Sequence, residues 1–163
     1  NDKLRGGKGD DTLKGGRGAD ILDGARGDDK LVGQKGHDKL IGGQGRDVLI
    51  GGSNGDTLLG GKARDKLVGG KGQDDLNGGG GNDNLIGGSG ADRFIFTGKA
   101  GDDRIKGFEQ GKDMIVIATG ADGMADMKIR KSGSDVTITF DDSELTIQNS
   151  RPGQFQASDF DFI

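Results

Sequence analysis

The residues best placed to do chemistry are aspartates spaced nine apart. Asp11, Asp20, Asp29, Asp38, Asp47, Asp56, Asp65, Asp74, Asp83 and Asp92 recur without insertion or deletion, and Asp2 stands in the same register in a broken first copy. Carboxylates carried on successive turns of a repeating backbone form a row of oxygen ligands. Such a row repels itself unless something positive lies between its members. The aspartates also sit in a fixed context. Gly6-Gly7-Lys8-Gly9-Asp10-Asp11-Thr12-Leu13-Lys14 reads G-G-x-G-x-D-x-U-x, with U a large apolar residue, and the register runs from Gly6 to Ile95.

The elements that must position these carboxylates follow from the rest of the repeat. Glycine visits positive φ at little cost and lets carbonyl oxygens converge, so G-G-x-G-x-D predicts a turn. The x-U-x segment predicts a short strand, with the eighth residue on one face and the seventh and ninth on the other. That eighth residue is Leu in nine complete copies (Leu13, Leu22, Leu31, Leu40, Leu49, Leu58, Leu67, Leu76, Leu85) and Phe94 in the last. Two repeats make one coil of a flattened parallel solenoid whose interior is the leucine column. Each coil touches only its neighbours.

On these residues the chain resembles the RTX (repeats-in-toxin) family of secreted bacterial proteins. The resemblance implies an all-β fold, a right-handed parallel β-roll (β-solenoid) of nonapeptide repeats with a C-terminal antiparallel β cap. It also implies that calcium sits between the turns of repeats n and n+2, held by the sixth-position Asp of each and by backbone carbonyls. The carbonyl donors carried over are the second- and fourth-position glycines: Gly7, Gly9, Gly16, Gly18, Gly27, Gly36, Gly43, Gly45, Gly52, Gly61, Gly70, Gly72, Gly79, Gly81, Gly88 and Gly90. Ten complete turns give about eight interior Ca²⁺ sites by that resemblance. Ca²⁺ suits such a set because it takes several oxygens in flexible geometry.

Composition explains why the metal is needed. The chain has 163 residues, of which 36 are Gly and one is Pro, with no Cys, Trp or Tyr. One Leu per nine residues is a thin core, and ordered glycines lose much entropy. Hydrophobicity this low leaves a chain disordered unless binding energy supplies the deficit. Without Cys there is no disulfide or thiolate site, and no apolar run reaches membrane-spanning length. No N-terminal signal peptide is visible, and the chain starts in mid-repeat.

Charge is unevenly distributed. Residues 1–95 carry fifteen Lys plus Arg against fifteen Asp; the remaining residues carry eight basic and twelve acidic. Bound calcium would make the repeat segment strongly basic, which points to a polyanionic partner. Third positions are basic at Lys8, Arg17, Arg26, Lys35, Lys62 and Lys71, and seventh positions at Lys30, Lys39 and Lys66. These read either as edge protection and solubility or as a ladder for an acidic polymer. Ninth positions Val32, Ile50, Val68 and Ile86 should line one outer face, and Ile41, Leu59 and Ile95 the other. Such rows read either as cross-strand packing or as a covered surface.

Four copies depart from consensus. Ala25 and Gln34 replace the second Gly; Asn54 and Ala63 replace the fourth. Ala tolerates the left-handed conformation less than Asn, so the turn from Gly60 to Asp65 is expected to be the weakest. Beyond the repeats at 1–95, residues 96–117 read as degenerate repeats and capping turns. There Asp103 with Ile105, and Asp113 with Ile115, occupy the key places and add candidate sites. Residues 118–163 read as a β-meander cap, with strands at Met127 to Lys131, Val136 to Phe140 and Leu145 to Gln148. Turns at Ser132-Gly133-Ser134 and Asp141-Asp142-Ser143 separate them, and Arg151-Pro152-Gly153 breaks the pattern. The end from Phe155 to Ile163 resembles the C-terminal signal of type I secretion substrates, or is a plain terminal strand.

Catalysis is not expected. His37 is the only His and sits at a variable turn position, so a solvated His is expected; neither zinc nor thiol chemistry has a ligand set. Asp141-Asp142 lies in a hairpin turn and not as a separated acid pair. Met114, Met124 and Met127 read as core filler. Few aromatics exist to stack bases, so nucleic acid is disfavoured. The expectation is a non-catalytic, calcium-binding module of a larger extracellular protein, with the type I secretion apparatus and an upstream domain as partners. The alternative is a module that binds an anionic, alginate-like polysaccharide beside a carbohydrate-active enzyme.

Overall fold

The computed structural model describes residues 1–97, 100–118, 128–140, 143–148 and 155–162. Ten six-residue strands follow the nine-residue period: β1 (Lys3–Lys8), β2 (Thr12–Arg17), β3 (Ile21–Arg26), β4 (Lys30–Lys35), β5 (Lys39–Gln44), β6 (Val48–Ser53), β7 (Thr57–Lys62), β8 (Lys66–Lys71), β9 (Asp75–Gly80) and β10 (Asn84–Ser89). Then come β11 (Arg93–Thr97), β12 (Asp102–Lys106), β13 (Met114–Ala118), β14 (Lys128–Ser132), β15 (Asp135–Phe140), β16 (Ser143–Ile147), a 3-10 turn at Ala157–Asp159 and β17 (Phe160–Phe162). Odd-numbered strands up to β13, then β17, form one sheet. The other runs β2-β4-β6-β8-β10-β12-β16-β15-β14. The fold is an all-β parallel solenoid, two repeats to the coil, so each strand pairs with the one eighteen residues on: Leu22 with Leu40, Leu31 with Leu49.

The strands are longer than the repeat suggests. The glycine pair belongs to the ladder and not to the turn, which shrinks to positions four to six. Gly43 pairs with Gly61, and Gln44 with Lys62. The physical reason is the second-position residue. Glycines there hold φ between 95° and 125°, a conformation other residues avoid, and the parallel ladder passes through them.

Two positions face inward, the eighth and the first. Leu22, Leu31, Leu40, Leu49, Leu58, Leu67, Leu76, Leu85 and Phe94 are fully buried, while Leu4 and Leu13 at the first coil are only partly so. Two residues along the strand from each Leu, on the same face, stands a first-position glycine that has no room for a side chain. A Cβ on Gly42 would sit 2.4 Å from Asp47 Oδ2 and 2.5 Å from the Gly60 carbonyl oxygen. The interior therefore holds one apolar side chain per repeat.

The far end is built differently. All seven phenylalanines lie at or after residue 94. Phe94, Phe108, Phe155, Phe160 and Phe162 form a chain of ring contacts with centroids 5.7 to 6.5 Å apart, and Phe96 meets Phe140 at 5.9 Å. β14, β15 and β16 are antiparallel, and β16 returns to parallel pairing on β12. The three strands fall close to the expected spans. β17 lies parallel to β13, so the C-terminal segment adds a last strand to the odd sheet. Gly98, Lys99, Met124, Met127, Asp141, Asp142, the Arg151-Pro152-Gly153 break and Ile163 lie outside the described residues.

The four departures from glycine carry measurable strain. Ala25, Gln34, Asn54 and Ala63 hold φ of 79°, 82°, 79° and 78°, below every second- or fourth-position glycine. Stacking forces this. A Cβ on Gly81 would lie 1.9 Å from the Ala63 carbonyl oxygen of the coil before it, and one on Gly90 only 1.6 Å from that of Gly72. A residue with a side chain must rotate toward the left-handed region to escape its neighbour, which costs about 1 kcal/mol for Ala. Ala63→Gly should therefore stabilise the folded, metal-saturated protein by about 1 kcal/mol, read as a higher denaturation midpoint in excess metal. An unchanged or lower midpoint contradicts the strain argument.

Candidate calcium centres

The solenoid brings the sixth-position aspartates into two columns, one on each edge. Asp2, Asp20, Asp38, Asp56, Asp74, Asp92 and Asp113 make the first; Asp11, Asp29, Asp47, Asp65, Asp83 and Asp103 make the second. The link is the same at every step. The backbone N–H of one Asp donates to Oδ1 of the Asp in the next coil: Asp11 to Asp29 at 2.7 Å, Asp47 to Asp65 at 2.8 Å. The bond survives the insertions beyond the repeats, from Asp83 to Asp103 at 2.7 Å and from Asp92 to Asp113 at 3.0 Å. The Asp carbonyl in turn accepts from the seventh-position N–H of the next coil, as from Lys30 to Asp11 at 2.9 Å.

That leaves one oxygen over. Oδ2 of Asp11, Asp20, Asp29, Asp38, Asp47, Asp56, Asp65, Asp74, Asp83, Asp92 and Asp103 is buried and has no hydrogen-bond partner. From Asp20 onward these residues are at most 3% exposed. A buried carboxylate oxygen without a partner is costly, and eleven in two rows are not tolerated without a proton or a cation. Asp2 is different, being exposed at the first coil. Asp113 is different too, because its Oδ2 accepts the Glu109 N–H at 2.8 Å; it closes its column with both oxygens used. A local five-residue turn does this, and nothing in the repeat pattern announces it. Asp159, also buried, accepts from Gln156 and more weakly from Gly111.

The glycine-position carbonyls are the remaining candidate donors. Second- and fourth-position carbonyls point along the column at the equivalent residue of the next coil. The Gly27 oxygen lies 2.1 Å from where a Cβ on Gly45 would stand, and that of Gly52 lies 2.3 Å from one on Gly70. Among the described residues, no three His, Cys, Asp or Glu side chains converge on a point. Carboxylates arrive in pairs, so a cation between coils must complete its shell with carbonyls. That donor set is all oxygen and suits Ca²⁺. His37 is exposed as expected, with Nδ1 lying 2.8 Å from the Gly55 carbonyl oxygen.

Burial sets the electrostatics. It pushes Asp47 and Asp92 up to about 6, and Asp56, Asp65 and Asp103 up to about 7. Burial likewise raises Asp29, Asp38, Asp74, Asp83 and Asp113. The N–H bond from the preceding coil works in the opposite direction and is outweighed. Unfolded Asp titrates near 3.9, so between about pH 4 and pH 7 the metal-free fold holds more protons than the unfolded chain. Stability without metal is therefore greatest below about pH 4 and is lost as pH rises to about 7. In chelator, far-UV circular dichroism should show β structure growing as pH falls through this window. With calcium present the dependence reverses, because protons compete for the same oxygens and affinity falls on acidification. Structure in chelator that is constant across the window contradicts the assignment of these carboxylates as the destabilising groups.

Comparisons with known proteins agree with this geometry. The chain matches the family profile of the RTX calcium-binding nonapeptide repeat (4 copies) over residues 1–31, 24–58, 32–67 and 59–94, more than half its length. It resembles the solution structure of the AlgE6R3 subunit of the Azotobacter vinelandii mannuronan C5-epimerase, with 25% identity and a TM-score of 0.55. The match covers 71% of this chain and 77% of that one. The AlgE6R2 subunit of the same epimerase matches with 25% identity and a TM-score of 0.51, over 90% and 91% of the two chains. The extracellular lipase LipA from Serratia marcescens aligns with 95% of this chain at 20% identity and a TM-score of 0.48, and the chain spans 38% of the lipase's length. No curated protein sequence matches. Two columns of buried carboxylates on a nine-residue period, matched by the repeat profile over residues 1–94, show that the chain belongs to the family of RTX calcium-binding nonapeptide-repeat proteins.

Proposed function

We propose that this chain is a calcium-triggered folding module of a larger exported protein, unfolded at low free calcium and folded outside the cell. The observation that carries the reading is the set of eleven buried Asp Oδ2 atoms without a partner. At neutral pH they oppose the fold, and Ca²⁺ between the coils would convert them into its main support. About eight ions, held by paired sixth-position Asp residues and by second- and fourth-position carbonyls, fit the ten complete turns. The sites are of the weak extracellular type, which fill near millimolar calcium and release in the cytosol.

The two ends of the molecule divide the work. The phenylalanine-packed cap has an apolar core of its own, whereas the repeats contribute one Leu each. The cap would order first and offer β10, β11, β12 and β13 as a template. Coils then add in sequence toward the N-terminus, each fixed by its ions. An unfolded chain threads a secretion channel, and folding on the calcium-rich side prevents its return, which supports type I export and stabilises whatever precedes the module. The module itself is structural, and the activity of the parent protein lies elsewhere.

A second reading has its own support. Basic residues are spread along both outer faces, and the epimerase subunits with the same roll belong to a polysaccharide-modifying enzyme. An anionic, alginate-like polysaccharide is the ligand that reading predicts.

The calcium assignment is tested by counting ions. Asp65→Asn should remove one or two of the bound calcium ions in equilibrium dialysis, because Asp65 faces both Asp47 and Asp83. Asp10→Asn should remove none, since Asp10 is exposed and its Oδ1 accepts the Asp28 N–H. Equal counts for Asp65→Asn and the unaltered protein would mean that the columns do not hold the metal.

A further inference from the structure

The two outer faces of the roll are not equivalent. On the odd sheet, from β1 to β11, two acidic residues, Asp23 and Asp75, lie among seven basic ones and each is ion-paired. Arg5 meets Asp23 at 3.4 Å and Arg93 meets Asp75 at 3.3 Å. On the even sheet, from β2 to β10, no acidic residue points outward. Lys14, Arg17, Lys30, Lys35, Lys66 and Lys71 are all exposed there.

Those charges frame an apolar centre. Strand register places Val32, Ile50, Val68 and Ile86 side by side at ninth positions, all half-buried by one another. Val48 adds to them between Lys30 and Lys66. One basic column, Lys30 with Lys66, runs along the seventh positions. The other, Arg17, Lys35 and Lys71, runs along the third positions of β2, β4 and β8. The columns are five residues apart along the strand, about 16 Å, and straddle the aliphatic stripe. At the nearer edge, Asp10 and Asp28 are followed along the fifth-position row by Arg46 and Arg64.

We propose that this even-sheet face docks on an anionic lipid surface, its two lysine and arginine columns meeting phosphate-bearing headgroups while Val32, Ile50, Val68 and Ile86 sit against the apolar layer between them. Charge and apolar contact both favour it. Interfacial binding strength grows with buried apolar area and with attraction to acidic lipids. The spacing selects an extended surface over a single thread. A polymer chain running along the roll reaches one basic column and leaves the other in water, whereas a headgroup layer meets both at once. Calcium held within the roll adds positive field behind the face. The inference rests on the calcium-folded roll described above, because only the folded coils align these side chains.

The test is sedimentation of the full chain with vesicles, in saturating calcium. Phosphatidylcholine vesicles containing phosphatidylglycerol should pull the chain down, and pure phosphatidylcholine should not. K30E/K66E should lower the bound fraction by about tenfold, and I50S/V68S should lower it as well. K39E/K62E, which removes the same charge from the odd sheet, should have much less effect. Circular dichroism of each sample establishes that it folds with calcium, so loss of the fold is distinguished from loss of the face. Should K30E/K66E fail to fold, K30Q/K66Q serves with the same expectation. Equal loss from both faces overturns the assignment. So does no vesicle binding by a folded chain, and retention on a soluble polyuronate without vesicle binding would transfer the face to a polymer instead.

Discussion

A buried carboxylate oxygen with nothing to bind is the constraint around which the molecule is arranged. From Asp20 to Asp103, each sixth-position Asp accepts the backbone N–H of the coil before it at Oδ1 and keeps Oδ2 inside the turn. Successive coils are about 4.8 Å apart, so each row sets like charges at a separation where repulsion is strong away from water. A leucine column with one side chain per repeat is a thin counterweight to this repulsion and to the ordering of 36 glycines. On the proposed reading, the same oxygens become cross-links between coils once a divalent cation lies there. Stability and metal content are then one quantity.

The glycines belong to the same arrangement. Fourth-position carbonyls stack so closely on the next coil that a side chain there would overlap the oxygen, as at Gly81 and Gly90. That closeness brings backbone oxygens to the edge where the carboxylates are. Ala63 and Asn54 show what a side chain costs, since both have been driven to φ near 80° while Asp65 and Asp56 remain buried in their columns. The repeat tolerates a strained turn more readily than a missing carboxylate.

Much of this was legible because the period is fixed and a coil is twice the period. Once Leu13 and Leu22 are assigned to opposite sheets, the pairing of Leu31 with Leu49 and the outer row from Val32 to Ile86 follow by counting. The extension of each strand through its two glycines was not legible, because no propensity marks a strand through Gly-Gly; only the stacked coil stabilises it. In the other outer row Asn77 pairs with Leu59 and interrupts the aliphatic series before Ile95. The cap was legible as strands but not as connections. β17 pairs with β13 across more than forty residues, and Phe160 gives no local sign of its partner. Nor does Asp113 show in sequence that Glu109 will take its second oxygen.

The measurement that tests the central claim most directly is far-UV circular dichroism of the chain at neutral pH, titrated with calcium from a chelated start and repeated with magnesium. The account predicts a disordered spectrum in chelator and a cooperative change to β structure with calcium alone, since magnesium keeps its waters and demands stricter geometry. A chain already folded in chelator at neutral pH, and indifferent to calcium, would mean that the leucine column and the phenylalanine cap suffice. The buried carboxylates would then not be what decides the fold.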